Sequence, residues 1–156
     1  EISCSLVGSE MCIRDRIKAA GKKAMVHIDL IAGLSAKEIS VEFIARQTRA
    51  DGIITTKPAL VRRAKELGIF AVLRFFVIDS LALKNIENLE MQCGTSRPDF
   101  IEVLPGVMPK VLGRIAKVSR IPMIAGGLIT EKEDVIAALS AGAIAVSSTN
   151  QDVWNL

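Results

Sequence analysis

From Ile17 onward the chain alternates two hydrophobic periods. Short β-branched apolar runs at Ala24–Leu30, Gly52–Thr55, Ile69–Val77, Asp99–Leu104, Ile121–Ala125 and Ala143–Ser147 read as strands. Between them, stretches with charged outer faces predict helices over Ala36–Thr48, Pro58–Leu67, Leu81–Gln92, Met108–Val118, Glu131–Ser140 and Gln151–Trp154. This beat is the mark of βαβ units around a parallel sheet. Ser35 with Glu38, and Thr130 with Glu133, have capping-box spacing at two helix starts. Gly21, Gly68 and Gly142 stand where a helix hands over to a strand.

Such units suit a (β/α)₈ (TIM) barrel or an open doubly wound sheet. The barrel is favoured because the strands are short and evenly spaced, with polar residues at nearly every downstream end, where barrels assemble their sites. A full barrel takes about 250 residues, and this chain has 156. The reading is therefore a TIM barrel truncated at its N-terminus to about six βα units. Glu1–Arg16 has no clean period and holds two of the three cysteines; it resembles translated adapter DNA and is set aside as a non-native segment. Residues 17–156 form the domain. A barrel lacking its first two units would expose two sheet edges.

Composition narrows the function. No run reaches the roughly 18 to 20 apolar residues of a membrane span, and Cys93 is the only cysteine in the body of the fold, which suits a cytoplasmic protein. The charge of +3 does not by itself mark a nucleic-acid binder, and the absence of tyrosine argues against base-stacking platforms. With one histidine and no C-x-x-C, no zinc spacing exists.

The chemistry sits at strand ends. Alternation places His27 and Asp29 on one face of the first strand, where a carboxylate would fix the imidazole tautomer; a core histidine beside a loop-capping aspartate fits equally. Lys57 follows the second strand as a contact for a phosphate or a nucleic-acid backbone, or as an ordinary solvated lysine. Arg74 lies among apolar residues of the third strand and needs an anionic partner, which Glu102 on the fourth supplies in one polar network. Asp79 caps the helix after the third strand. The strongest signal is Gly126-Gly127 followed one unit later by Ser147-Ser148-Thr149. Paired glycines let backbone N–H groups approach an anion, hydroxyls add donors, and the last helix offers its positive end.

The stretches HIDLIAGL, DGIITTK, RFFVIDSLAL, PDFIEVLPGVMPKV, IPMIAGGLI and AGAIAVSSTNQDVW resemble the glycerol-3-phosphate responsive antiterminators, from about Ile17 to Trp154. The resemblance implies a regulator, not an enzyme: a TIM barrel that senses glycerol 3-phosphate, needs no cofactor, and acts on the leader mRNA of glycerol operons. It implies phosphate on Gly126, Gly127, Ser147 and Ser148. His27, Asp29, Lys57, Arg74 and Glu102 form the strand-end set toward glycerol, and a homodimer is a candidate RNA-competent form. The RNA surface is poorly marked: Lys22-Lys23, Arg62-Arg63-Lys65 and Arg114-Lys117-Arg120 are basic clusters that also read as solvated helix faces. The alternative is a TIM-barrel isomerase, aldolase or synthase on a small phosphorylated substrate, with His27, Asp29 and Glu102 as acid–base groups.

Overall fold

A computed structural model describes residues 2–4, 10–89 and 96–156. Cys93 and the end of the predicted Leu81–Gln92 helix lie outside the described residues. The elements run β1 Ile2–Cys4, α1 Glu10–Ala19, β2 Lys23–His27, α2 Glu38–Gln47, β3 Gly52–Thr55, α3 Pro58–Glu66, β4 Phe70–Phe76, α4 Ser80–Glu87, β5 Phe100–Leu104, α5 Pro109–Val118, β6 Met123–Gly126, α6 Lys132–Ser140 and β7 Ala145–Ser147. Single 3₁₀ turns follow β2 (Ile28–Leu30) and β7 (Gln151–Asn155).

The chain divides into two compact units, Glu1–Leu73 with Thr95–Asp99, and Arg74–Gly94 with Phe100–Leu156. In the first, β1-β2-β3-β4 pair in order and in parallel. In the second, β5-β6-β7 do the same. Unbroken sequential order is the winding of a TIM barrel, whereas a doubly wound sheet reverses direction at a switch point. The fold is thus the α/β barrel type, built here of successive βα units. Within the segment set aside above, Ile2–Cys4 pairs with Lys23–Met25 and α1 begins at Glu10.

Each unit closes its own apolar core. Ile28, Val41, Ile53, Val61 and Ala71 are sealed in the first, and Ile101, Val103, Leu112 and Ile115 in the second. Two sequence-based caps shift. Helix α2 starts at Glu38 with Lys37 as its uncapped N-cap, because the Ser35 carbonyl instead accepts from Ser40 Oγ at 2.5 Å and Lys37 N at 2.8 Å. The capping box of α6 is Glu131/Asp134, since the Asp134 carboxylate takes the N–H groups of both Thr130 (3.0 Å) and Glu131 (3.2 Å). Asp79 does cap α4, accepting from Ala82 N at 2.8 Å.

The first unit repeats one device. Asp51, just before β3, accepts from Ala24 N at 2.8 Å and from Lys18 Nζ at 2.9 Å. Asp99, just before β5, accepts from Ala71 N at 2.9 Å and from Lys65 Nζ at 2.6 Å. In both, a helix lysine and a strand-opening alanine meet the aspartate that precedes the next strand. Burial pushes the Asp51 carboxyl up, but hydrogen bonds from Lys18, Ala24 N–H and Lys23 outweigh it and hold it below the ordinary 3.8. A depressed folded value means the stabilisation is full above about pH 4 and is lost as pH falls through the lower folded value. Acid unfolding followed by circular dichroism therefore shows a loss below pH 4 that Asp51→Asn reduces; an unchanged acid limb in that variant would refute the assignment.

Candidate functional site

In the first unit β2 ends at His27, two residues before Asp29, and the chain turns into 3₁₀ geometry. The strand parity that paired His27 with Asp29 therefore does not apply. His27 is buried at 6 % exposure. The Asp29 carboxylate accepts from Thr55 Oγ1 (3.0 Å), Thr56 N (2.7 Å) and Thr56 Oγ1 (3.1 Å). Thr55 and Thr56, which sequence reasoning passed over, are thus its anchors; adjacent threonines at a strand end were the available signal. Lys57 N donates to Thr55 Oγ1 at 3.1 Å, and its exposed ammonium reaches the Ala36 carbonyl at 3.4 Å.

In the second unit Arg74 and Glu102 meet as their positions require. Arg74 Nε donates to Glu102 Oε2 at 2.6 Å, with side chains 14 % and 3 % exposed. Gly126 is glycine for that carboxylate: a Cβ there would lie 2.7 Å from Glu102 Oε1. The chain leaves β5 through a cis Leu104–Pro105 bond, and Gly106 N donates to the Gly127 carbonyl at 3.0 Å. Gly127 (φ 76°) and Leu128 (φ 62°) are both left-handed, and Leu128 is 71 % exposed. A left-handed leucine costs about 1–2 kcal/mol, a strain that persists where surroundings impose it and that gathers at ligand clamps.

The β7 exit supplies those surroundings. Ser148 Oγ donates to the Ile129 carbonyl at 2.7 Å and accepts from Asn150 N at 3.0 Å. Asn150 Nδ2 donates to the Thr130 carbonyl at 2.9 Å, and Trp154 Nε1 to the Ser148 carbonyl at 2.8 Å. Ser148's hydroxyl is therefore committed to the loop, while the Ser147 hydroxyl makes no hydrogen bond among the described residues. The element after β7 is a 3₁₀ turn with Asn150 as cap, not the α-helix expected, so its dipole is smaller than the sequence suggested. Ser148→Ala should lower stability by about 1 kcal/mol, read in denaturant unfolding, whereas Ser147→Ala should leave stability unchanged; equal effects would contradict these separate roles.

A separate apolar cavity of about 340 Å³ lies in the first unit among α1, β2 and α2, lined by Ile17, Val26, Leu34, Phe43 and Ile44 with Arg14. Its polar lining side chains are already engaged, Arg14 by Asp15 at 3.1 Å and Thr48 by the Ile44 carbonyl at 2.6 Å. Among the described residues no three His, Cys, Asp or Glu side chains gather as a metal site, and no helix is long and apolar enough to cross a membrane.

The model of the family described as glycerol-3-phosphate responsive antiterminator matches residues 7–154. The chain belongs to this family. It is 46 % identical over 141 residues to the Escherichia coli (strain K12) protein YgcP, covering 90 % of this chain and 72 % of that one. The crystal structure of the glycerol uptake operon antiterminator regulatory protein of Listeria monocytogenes str. 4b F2365 superposes with TM-score 0.85 at 32 % identity, over 99 % of this chain and 81 % of that one. A glycerol uptake operon antiterminator-related protein of Thermotoga maritima MSB8 gives 0.81 at 34 %, over 97 % and 86 %. In this glycerol-3-phosphate responsive antiterminator the Arg74–Glu102 pair borders the glycine turn at the end of β6 through Gly126.

Proposed function

We propose that this antiterminator is a cytoplasmic RNA-binding regulator of glycerol-metabolism operons, gated by glycerol 3-phosphate at the strand ends of its second unit. The observation that carries the reading is the left-handed Gly127-Leu128 turn beside Ser147, in a chain of this family. The phosphate rests on backbone N–H groups of the Gly126–Gly127 turn and of Ser147 and Ser148, with the Ser147 hydroxyl as a further donor. Ser148 contributes its main chain, its hydroxyl being used within the loop. Arg74 and Glu102 face the glycerol hydroxyls.

The protein needs no cofactor and performs no chemistry on its effector. Glu102 is occupied by the 2.6 Å contact from Arg74 Nε. Effector binding acts by population: glycerol 3-phosphate favours the RNA-competent form, a candidate homodimer, to the extent that it binds that form more tightly. Calorimetric titration with glycerol 3-phosphate, inorganic phosphate and glycerol tests the site. The reading requires glycerol 3-phosphate to bind tightest and glycerol weakest; no binding of glycerol 3-phosphate would overturn it.

A further inference from the structure

The geometry points to the outer face of α5 as the surface that grips RNA phosphates, an inference that rests on the RNA-binding reading above. Most basic side chains flagged in the sequence prove to be neutralised. Arg62 pairs with Glu38 at 3.3 Å, Arg63 with Glu42 at 3.1 Å and Glu66 at 2.9 Å, Lys65 with Asp99 at 2.6 Å, and Lys23 with Asp51 at 3.3 Å. These cations have carboxylate partners, Asp51 being shared between Lys23 and Lys18 and Glu42 between Arg63 and Arg46, so each offers a partner less net charge than an unpaired lysine.

The helix α5, PKVLGRIAKV, differs because it contains no acidic residue. Leu112 and Ile115 are fully buried, which turns Lys110, Arg114 and Lys117 outward at spacings of four and three residues, one exposed stripe. The stripe is about 10 Å long at 1.5 Å per residue. Glu87 of the neighbouring α4 holds Arg114 at 2.9 Å, but no ion pair among the described residues involves Lys110, Lys117 or Lys84, one turn before Glu87. A rigid row of cations whose two outer members, Lys110 and Lys117, are uncompensated fits a polyanion whose charges recur along a line. A nucleic-acid strand has that form, with phosphates every few ångströms. Leu112 and Ile115 are spent on the core, and Val118 is the one large apolar side chain exposed on α5, too little to insert into a lipid surface. No aromatic stands in the helix to stack on bases. The stripe therefore supplies affinity and salt dependence, and sequence choice comes from other contacts.

The test is fluorescence anisotropy of a labelled glycerol-operon leader RNA across a salt series, using the full chain as Lys110→Glu/Lys117→Glu and as the milder Lys110→Gln/Lys117→Gln. A charge-matched control, Lys37→Glu/Arg49→Glu, alters exposed cations of the first unit. The stripe variants should bind RNA at least about tenfold more weakly, with the slope of log affinity against log salt reduced by about 1.5, while the control binds within about twofold of the parent. Unchanged calorimetric binding of glycerol 3-phosphate shows that each variant is folded. Equal losses in stripe and control variants would overturn the assignment of α5. Parent protein that binds glycerol 3-phosphate but no RNA would instead overturn the RNA-binding reading itself.

Discussion

Glu102→Ala destabilises the protein by about 3–5 kcal/mol, the usual consequence of stranding one member of a buried ion pair. The removed carboxylate is 3 % exposed and its Arg74 partner 14 %, so water cannot replace the lost 2.6 Å contact. The same truncation empties space that Gly126 leaves for the carboxylate. The cost belongs to the stranded guanidinium more than to the attraction, which gives a discriminating control. Arg74→Met combined with Glu102→Leu should recover most of the loss, because a packed apolar pair escapes the desolvation penalty. Urea unfolding of the two variants measures both. A double variant as unstable as the single one would show that Glu102 acts through packing alone.

Gly127→Val abolishes effector binding while leaving a folded protein. A φ of 76° puts a β-branched residue in a region it almost never occupies, and its Cβ would meet Leu104 Cδ2 at 3.1 Å. The turn relaxes by moving Gly127, whose carbonyl is fixed by Gly106 N–H, and the N–H groups proposed to hold phosphate move with it. Losing about two charge-assisted hydrogen bonds at about 1.5 kcal/mol each weakens glycerol 3-phosphate by roughly a hundredfold or more. Stability falls by only about 1–2 kcal/mol for the strained residue. Calorimetry and thermal unfolding on one sample separate the two. Binding within about threefold of the parent would remove the glycine turn from the site.

The pattern of apolar runs was enough to place β3 to the residue, β4 and β5 within one residue at each end, and the pairing of Arg74 with Glu102. Burial of a charge between apolar neighbours demands a partner, and that demand is visible in one dimension. What a period of two could not show is where a strand stops. Asp29 was read in register with His27, yet the chain turns after His27 because Thr55 and Thr56 capture the Asp29 carboxylate across 26 residues of sequence. Caps failed for a similar reason: Ser35 and Thr130 have the right spacing, but competing bonds from Ser40 and Asp134 move each start downstream. The apolar pattern gives Asp51 no role and makes Asp99 only the start of a strand. Their signal was the repeated order of lysine, glycine, alanine and aspartate at Lys18, Gly21, Ala24 and Asp51, then Lys65, Gly68, Ala71 and Asp99. The basic clusters also needed three dimensions, since only folding shows which cations already have carboxylates.

The central claim is that glycerol 3-phosphate and leader RNA bind one protein and are thermodynamically coupled. Because coupling is reciprocal, it can be read from either ligand. The most direct measurement is anisotropy of a labelled glycerol-operon leader RNA titrated with this chain, with and without saturating glycerol 3-phosphate. RNA binding should tighten about tenfold with effector, a coupling of about 1.4 kcal/mol. Gly127→Val should bind RNA at the effector-free level in both conditions. RNA affinity identical with and without glycerol 3-phosphate, in protein shown by calorimetry to be effector-saturated, would contradict it.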